Sequence, residues 1–356
     1  MSAQPLRVAI VSPPWYTVPP DGYGGIELVI FVLARELTAM GQEVTVFGRQ
    51  GPMDGFELIA LSPESWSAAL GGEEHLAREA TYVRRAYDVV RHRAFDVVHD
   101  HSGYLGIVAA SLLDLQSARV ATLHGGLGEA DGVFLSSVDK SVELVAISQA
   151  QQGLVAGVRW AGVVHNAVPA DDLELGIEPK GYLVELARIS PDKGQHLAIE
   201  IARRAGKKLI LAGKVDEADR GYFESEIQPH LGESVEWIEN VAGRDKARLL
   251  AGADALLFPI QWEEPFGLAM VESMASGTPV VATPRGAANE IVEEGVTGFL
   301  GRDVDELVAT VGRVGEVDRR RCAEIARDRF GGRRMAEGYL EVYRASVERR
   351  REQAWR

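Results

Sequence analysis

Cysteine is almost missing. Cys322 is the only one in 356 residues, so no internal disulfide can form and a reducing cytoplasm is the expected setting. Long apolar runs are missing too: no stretch approaches the roughly 20 residues of a membrane span. The opening residues, MSAQPLRVAIVS, have neither the basic region nor the apolar core of a secretory signal. Positive charge is in deficit, with 38 Lys and Arg against 52 Asp and Glu, a formal net charge of −14. That balance argues against nucleic acid as a partner and against strong association with anionic membranes. The late basic clusters, Arg319-Arg320-Arg321 and Arg349-Arg350-Arg351, read as solvated helix faces. No repeat or low-complexity tract interrupts the chain. What remains is the composition of a soluble globular protein, 46% apolar and 25% charged, with a length suited to two domains.

The most informative stretch runs from Asp254 to Leu300. It predicts a buried strand over 254–258, a helix opening near Phe266, a second buried strand over 278–282 and a Gly-rich turn before Glu290. Short continuous apolar runs with polar or Gly punctuation are the pattern of parallel strands covered on both faces. Glu264 falls in the loop at the helix mouth and Glu272 falls inside the helix, which sets the two acids roughly 8 to 12 Å apart. A helix N-terminus favours an anion such as a diphosphate. A ligand made of a sugar, a diphosphate and a ribose fits this layout, with the sugar by Glu264 and the ribose by Glu272.

Taken in order, 6–12 reads as a strand, and the loop PPWYTVPPDGYGG leads into an amphipathic helix from about Ile26 to Met40. Gly22-Tyr23-Gly24-Gly25 lacks the spacing of a dinucleotide fingerprint, and the next strand (43–47) ends without an acid for a ribose, which argues against NAD. Gly24 and Gly25 instead let backbone N–H groups approach a phosphate or sugar. A helical pattern over 73–93 precedes a strand (95–99) that ends in His99-Asp100-His101. Adjacent side chains on a strand point to opposite faces and no further ligand cluster follows, so a metal site is not expected. Further strands are read at 119–123, 144–147 and 162–165. Punctuation at Pro169-Ala170-Asp171-Asp172 and at Pro179-Lys180-Gly181 marks a linker over 169–180. Beyond it, a strand over 182–187 delivers Arg188 and Lys193 beside a helix start, a cationic pair suited to a diphosphate and to charge growing on a leaving nucleotide. Strands at 208–212 and 235–238 end in Gly213-Lys214 and Asn240-Val241, positions able to hold a base through backbone groups.

The stretch Glu264-PFGLAMV-Glu272, continuing through MASGTPVVAT and NEIV to TGFL, resembles the family 4 retaining glycosyltransferases, whose motif is two Glu separated by seven residues. The resemblance covers nearly the whole chain and implies the α/β GT-B architecture, two doubly wound Rossmann-like domains facing across a cleft. By that resemblance, 1–168 form the acceptor domain, 181–332 bind the nucleotide sugar, and a last helix, about 333–356, returns to the first domain. The implied reaction moves a hexose-type sugar from a nucleotide diphosphate sugar to a hydroxyl of a soluble acceptor, with retention and with neither metal nor cofactor. The implied catalytic residues are His124, Glu264, Arg188 and Lys193. Donor contacts add Gly24, Gly25, Val241, Phe266, Gly267, Leu268 and Glu272, with Phe266 and Gly267 presenting backbone groups to sugar hydroxyls. His101, Trp15, Tyr23 and Tyr104 fall on the acceptor side. The chain departs from the family pattern at Ala187 and Ala167, where Gly is usual. A nucleotide-sugar epimerase and a non-catalytic two-domain binding protein are the competing readings, and the base, sugar, acceptor and oligomeric state stay open.

Overall fold

In a computed structural model that describes residues 4–49, 55–62, 66–138 and 140–354, the short apolar runs become parallel strands in two separate sheets. The first unit comprises the residues up to Ala167 together with those from Gly332 onward, and the second comprises Val168–Gly331. In the first, β1 (Arg7–Val11), β2 (Glu43–Arg49), β3 (Glu57–Ser62), β4 (Val97–Asp100), β5 (Ala118–Thr122), β6 (Val142–Ala146) and β7 (Trp160–Val163) lie in the order β3-β2-β1-β4-β5-β6-β7. In the second, β8 (Tyr182–Leu186), β9 (Lys208–Ala212), β10 (Val235–Ile238), β11 (Ala255–Phe258), β12 (Val280–Ala282) and β13 (Gly298–Leu300) lie in the order β10-β9-β8-β11-β12-β13. Each sheet is doubly wound, so its strand order reverses once, between β1 and β4 and between β8 and β11. Such a reversal leaves a crevice outside the carboxyl ends of the two strands, where ligands bind in open α/β sheets. The crevice opens early in the second unit, because β8 and β11 pair only at Ala255↔Leu183 and Leu256↔Val184.

The central strands are buried along their whole length, as in β5, β6, β11 and β12, which is why they carry no alternating polar face. Among the described residues, one core cluster of the first unit gathers Phe47, Tyr82, Tyr87, Ile107 and Leu135 from its sheet and helices. A cluster of the second gathers Leu183, Ile199, Leu209, Ile227, Leu257 and Leu307.

Several expectations shift. The helix after Glu264 opens at Leu268 and not at Phe266: Gly267 caps it at φ +86, and the helix runs Leu268–Ala275. Phe266 turns inward instead, 2% exposed and edge-on to Phe330. β3 and β13 were not foreseen as strands; β3 is an edge with a mostly half-buried pattern, and β13 has only three residues. Residues 168–180 belong to the second unit and form no separate linker. The last helix runs Gly332–Ala354 and belongs to the first unit, where Gly332 lies so close to the helix Gly25–Ala39 that an added Cβ would meet Val32 at 2.7 Å.

The basic clusters are not wholly solvated either. Arg319 donates to the carbonyls of Gly176, Ala253 and Ala251 and to Thr278 Oγ1, while Arg349 donates to Glu143 and Arg350 to the carbonyl of Leu115. Arginine's five fixed donors suit it to stitching such carbonyl-rich ends. Among the described residues, no helix is long and apolar enough to cross a membrane.

Candidate functional site

The reversal point of the second sheet is closed by backbone contacts before any functional side chain is placed. β8 ends at Leu186 and the chain turns through Ala187 and Arg188, where Ala187 N–H donates to Ala212 and Ile189 N–H donates to Lys214. Gly194, at φ +77, lies so near the loop after β11 that an added Cβ would sit 2.2 Å from the Pro259 carbonyl oxygen. Gln261 N–H donates to the carbonyl of Asp192 at 2.7 Å. The loops after β8 and β11 are therefore tied together, and Lys193 and Glu264 become neighbours although 71 residues separate them.

Lys193 Nζ donates to Glu264 Oε2 at 2.8 Å. Trp262 Nε1 donates to the same oxygen at 3.1 Å, and the Lys193 ammonium stands 4.5 Å from the centre of the Trp262 ring. Ammonium, carboxylate and indole thus form one knot, in which the cation is held by charge, hydrogen bond and ring face together. Glu264 is 7% exposed. Its backbone is fixed by Gly286, at φ +56, whose added Cβ would lie 2.2 Å from the Glu264 carbonyl oxygen, and by Ala287 N–H, which donates to that oxygen at 2.8 Å.

Gly267 follows the knot and caps the helix Leu268–Ala275 without a side-chain hydrogen bond. Met270 N–H donates to the Gly267 carbonyl at 3.0 Å, so the amides of Leu268 and Ala269 are the ones at this helix start where an anion is favoured. Glu272, inside the helix and 5% exposed, accepts from Lys246 Nζ at 2.6 Å. Lys246 lies on the helix Gly243–Gly252 after β10, and the sequence reading missed it; a lone Lys in RDKARLL carries no motif. Val241 sits in the loop between β10 and that helix, with its side chain half-buried.

The expected Arg188/Lys193 clamp is not one clamp. Arg188 donates to Asp219 and lies 3.7 Å from Asp192 and 3.8 Å from Asp216, whereas Lys193 turns to Glu264. Three carboxylates around one guanidinium explain the difference, since the sequence showed the cations and hid the acids contributed by 216–219. Beneath this loop Gln195 bridges three groups: its amide donates to Glu185 Oε1 and to the Arg188 carbonyl, and its oxygen accepts from Ser190 N–H. Burial pushes the Glu185 carboxyl up to about 8, so it is neutral at pH 7. Glu185, too, went unread, because an acid inside an apolar strand looks like a polar step in the pattern.

In the first unit, Gly24 caps the helix Gly25–Ala39 at φ +150 and packs on Pro20, 2.7 Å from where its Cβ would stand. Glu27, in the first turn and 3% exposed, is raised to about 7 by burial against backbone donors from its own residue and Tyr16. Of the acceptor-side residues, Tyr23 and Tyr104 are exposed, the second with its hydroxyl on Asp131. Trp15 is 8% exposed, stacked on His75, and His101 is 3% exposed; neither stands open to an acceptor. His99 and His101 share one face of β4 and its end, and His101 reaches His124, at 2.8 Å, so the row is a cluster that the sequence reading did not foresee. Asp100 points the other way and is no partner of the histidines. It accepts from Ser102 N–H and Oγ and from the Tyr87 hydroxyl, and Gly106 packs on it so closely that a Cβ would lie 2.1 Å away. Among the described residues no group of three or more His, Cys, Asp or Glu could hold a metal ion.

Comparison with known proteins follows the same division. The profile of Glycosyltransferase Family 4 matches residues 23–171, and that of Glycosyl transferases group 1 matches 171–329. The chain is 25% identical to a D-inositol 3-phosphate glycosyltransferase of Mycobacterium marinum over 91% of this chain and 82% of the relative. The structure of AviGT4, a glycosyltransferase involved in avilamycin A biosynthesis, superposes with a TM-score of 0.75 at 28% identity, covering 97% of this chain and 98% of that one. Anabaena HepE, in complex with UDP and glucose, superposes with a TM-score of 0.71 at 21% identity, covering 95% and 99%.

Proposed function

We propose, since this chain belongs to the family 4 glycosyltransferases and has their two Rossmann-like units of the GT-B fold, that it transfers a hexose-type sugar from a nucleoside diphosphate to a hydroxyl of a soluble acceptor, with retention and without metal or cofactor. Family membership sets aside the epimerase and the passive binding protein. The observation that carries the finer reading is the Lys193–Glu264–Trp262 knot, placed at the reversal point of the second sheet beside the N-terminus of the helix Leu268–Ala275. A diphosphate brought there meets an ammonium and the amides of Leu268 and Ala269 at the helix start, which stabilise the charge that grows as the anomeric carbon–oxygen bond breaks. Glu264 then faces the sugar and Glu272 the ribose, with Lys246 Nζ donating to the second carboxylate. In the retaining reaction the acceptor oxygen bonds to the anomeric carbon on the face the leaving phosphate vacates, and a phosphate oxygen takes the acceptor's proton. A soluble acceptor is supported by the net charge of −14, and the single buried Cys322 fits a cytoplasmic setting.

Incubation with a panel of nucleotide sugars and hydroxyl acceptors, after exhaustive EDTA treatment, tests the proposal. The expected product carries the donor's anomeric configuration, read from its proton couplings. An inverted product, or activity that EDTA abolishes and a divalent cation restores, overturns retention or metal independence respectively.

A second expectation concerns Glu272. Glu272→Ala removes a charged acceptor for the ribose hydroxyls and leaves Lys246 without its partner, so free nucleoside diphosphate should bind about 1.5 to 3 kcal/mol more weakly. Titration calorimetry measures this, and an unchanged dissociation constant removes the ribose assignment.

A further inference from the structure

Glu185 stands where the second sheet begins to part. It is the first residue of β8 beyond the last pairing with β11, at Leu256↔Val184, and it still pairs with Leu211 of β9. Its side chain is buried, only 1% exposed, and a carboxylate ionised in such a place needs donors on both oxygens. One donor is supplied: Gln195 Nε2 reaches Oε1 at 2.9 Å, and among the described residues Oε2 has no partner. Lys193 acts on the group as a cation but is hydrogen-bonded to Glu264. The carboxyl is therefore held in its neutral form, in line with the rise to about 8 that burial causes.

What this acid does is read from Gln195, which opens the helix Gln195–Arg204 and is fully buried. A primary amide has two N–H groups and one carbonyl to satisfy. One N–H goes to the Arg188 carbonyl at 3.1 Å, and the amide oxygen accepts from Ser190 N–H at 3.2 Å. These two backbone groups fix the orientation, since a reversed amide would set its oxygen against one carbonyl and its nitrogen against one N–H. The remaining N–H is the one that Glu185 Oε1 accepts. Lys193 depends on the same amide, because Lys193 N–H donates to the Ser190 carbonyl at 3.0 Å and closes the turn Pro191–Lys193 on the residue that Gln195 holds. Glu185, Gln195, Ser190 and Lys193 thus stand in series, from the strand to the knot with Glu264 and Trp262.

We propose that Glu185, acting through Gln195, is a positioning residue that sets the turn 190–193 and so delivers Lys193 to Glu264. The assignment of Lys193 to a leaving diphosphate rests on the transferase reading; the support of the knot by Glu185 does not.

Glu185→Leu removes the acceptor at similar size and leaves one Gln195 N–H buried without a partner, whereas Glu185→Gln keeps the acceptor. The indole N–H of Trp262 bonds to Glu264 beside Lys193 and, assigned through Trp262→Phe, reports the knot in proton–nitrogen spectra of the labelled full chain. Its resonance should move or broaden in Glu185→Leu and return to the wild-type position in Glu185→Gln. Turnover of Glu185→Leu should fall roughly ten- to a hundredfold, the loss expected when a catalytic group is displaced by up to about 1 Å. Affinity for free nucleoside diphosphate should change far less, and Glu185→Gln should recover most of the lost turnover. In a Lys193→Ala background Glu185→Leu should cost little more, because groups acting in series are not additive. A wild-type Trp262 resonance in a folded Glu185→Leu protein, or an equal loss of turnover with and without Lys193, overturns the proposal. Gln195→Met cuts the series one link further on and is read in the same way if Glu185→Leu does not fold. Should no sugar nucleotide be turned over, the Trp262 resonance still decides whether Glu185 holds the knot, and only the transferase reading falls.

Discussion

Lys193→Ala is expected to lower turnover by roughly two to three orders of magnitude, the loss seen when one preorganised donor to developing charge is removed. Affinity for free nucleoside diphosphate should change far less, because the ammonium matters most when the sugar–phosphate bond is breaking. The substitution also strands Glu264, which is 7% exposed and, among the described residues, keeps only the Trp262 N–H as a side-chain donor. Breaking a buried ion pair from one side costs about 3 to 5 kcal/mol, so part of any loss can come from stability and not from chemistry. The double variant Lys193→Ala with Glu264→Gln separates the two. Removing the stranded charge should restore the melting temperature and leave turnover low. Single-turnover kinetics with saturating donor make the measurement, and a Lys193→Ala enzyme whose loss lies wholly in donor affinity would reduce Lys193 to an anchor.

Gly286→Ala is expected to be nearly as damaging, although the residue bears no chemistry. At φ +56 an L side chain is strained, and the new Cβ would stand 2.2 Å from the carbonyl oxygen of Glu264 and 2.4 Å from its nitrogen. Backbone and not a flexible side chain has to give way. Overpacking of this kind costs about 1 to 3 kcal/mol, and the αL conformation adds about 1 to 2 kcal/mol. The displacement falls on the residue that holds Lys193, and a shift of about 1 Å in a catalytic group can cost roughly a hundredfold in rate. Thermal unfolding and turnover should both fall, whereas Gly22→Ala, where an added Cβ meets nothing within 4 Å, should leave the melting temperature unchanged. A Gly286→Ala protein with wild-type turnover would show that the Glu264 backbone tolerates movement and that the site is not held from this side.

What was legible in the sequence was what is local in the chain. Apolar runs of four to seven residues, punctuated by Gly and Pro, declared parallel strands, and the segment Glu264–Glu272 declared the family. The errors were local as well: the helix start moved from Phe266 to Leu268 because Gly267, at positive φ, caps the helix. β13, with three residues, is too short for periodicity to register.

Pairing was decided elsewhere. The sequence by itself determined the class of the fold, its two units and its family, because strand burial and the Glu264–Glu272 motif are written in contiguous residues. Only the tertiary structure decided that Lys193 belongs to Glu264, that Lys246 belongs to Glu272, that Arg188 turns to Asp219, and that Tyr343 reaches His99 across 244 residues. Each of these joins groups carried on different strands or helices. Their meeting depends on the reversal of strand order at β8 and β11, and on the return of the last helix to the first sheet. An ion pair or a buried hydrogen bond is set by distance through space and by exclusion of water, and neither quantity has a signature in the spacing of residues along the chain.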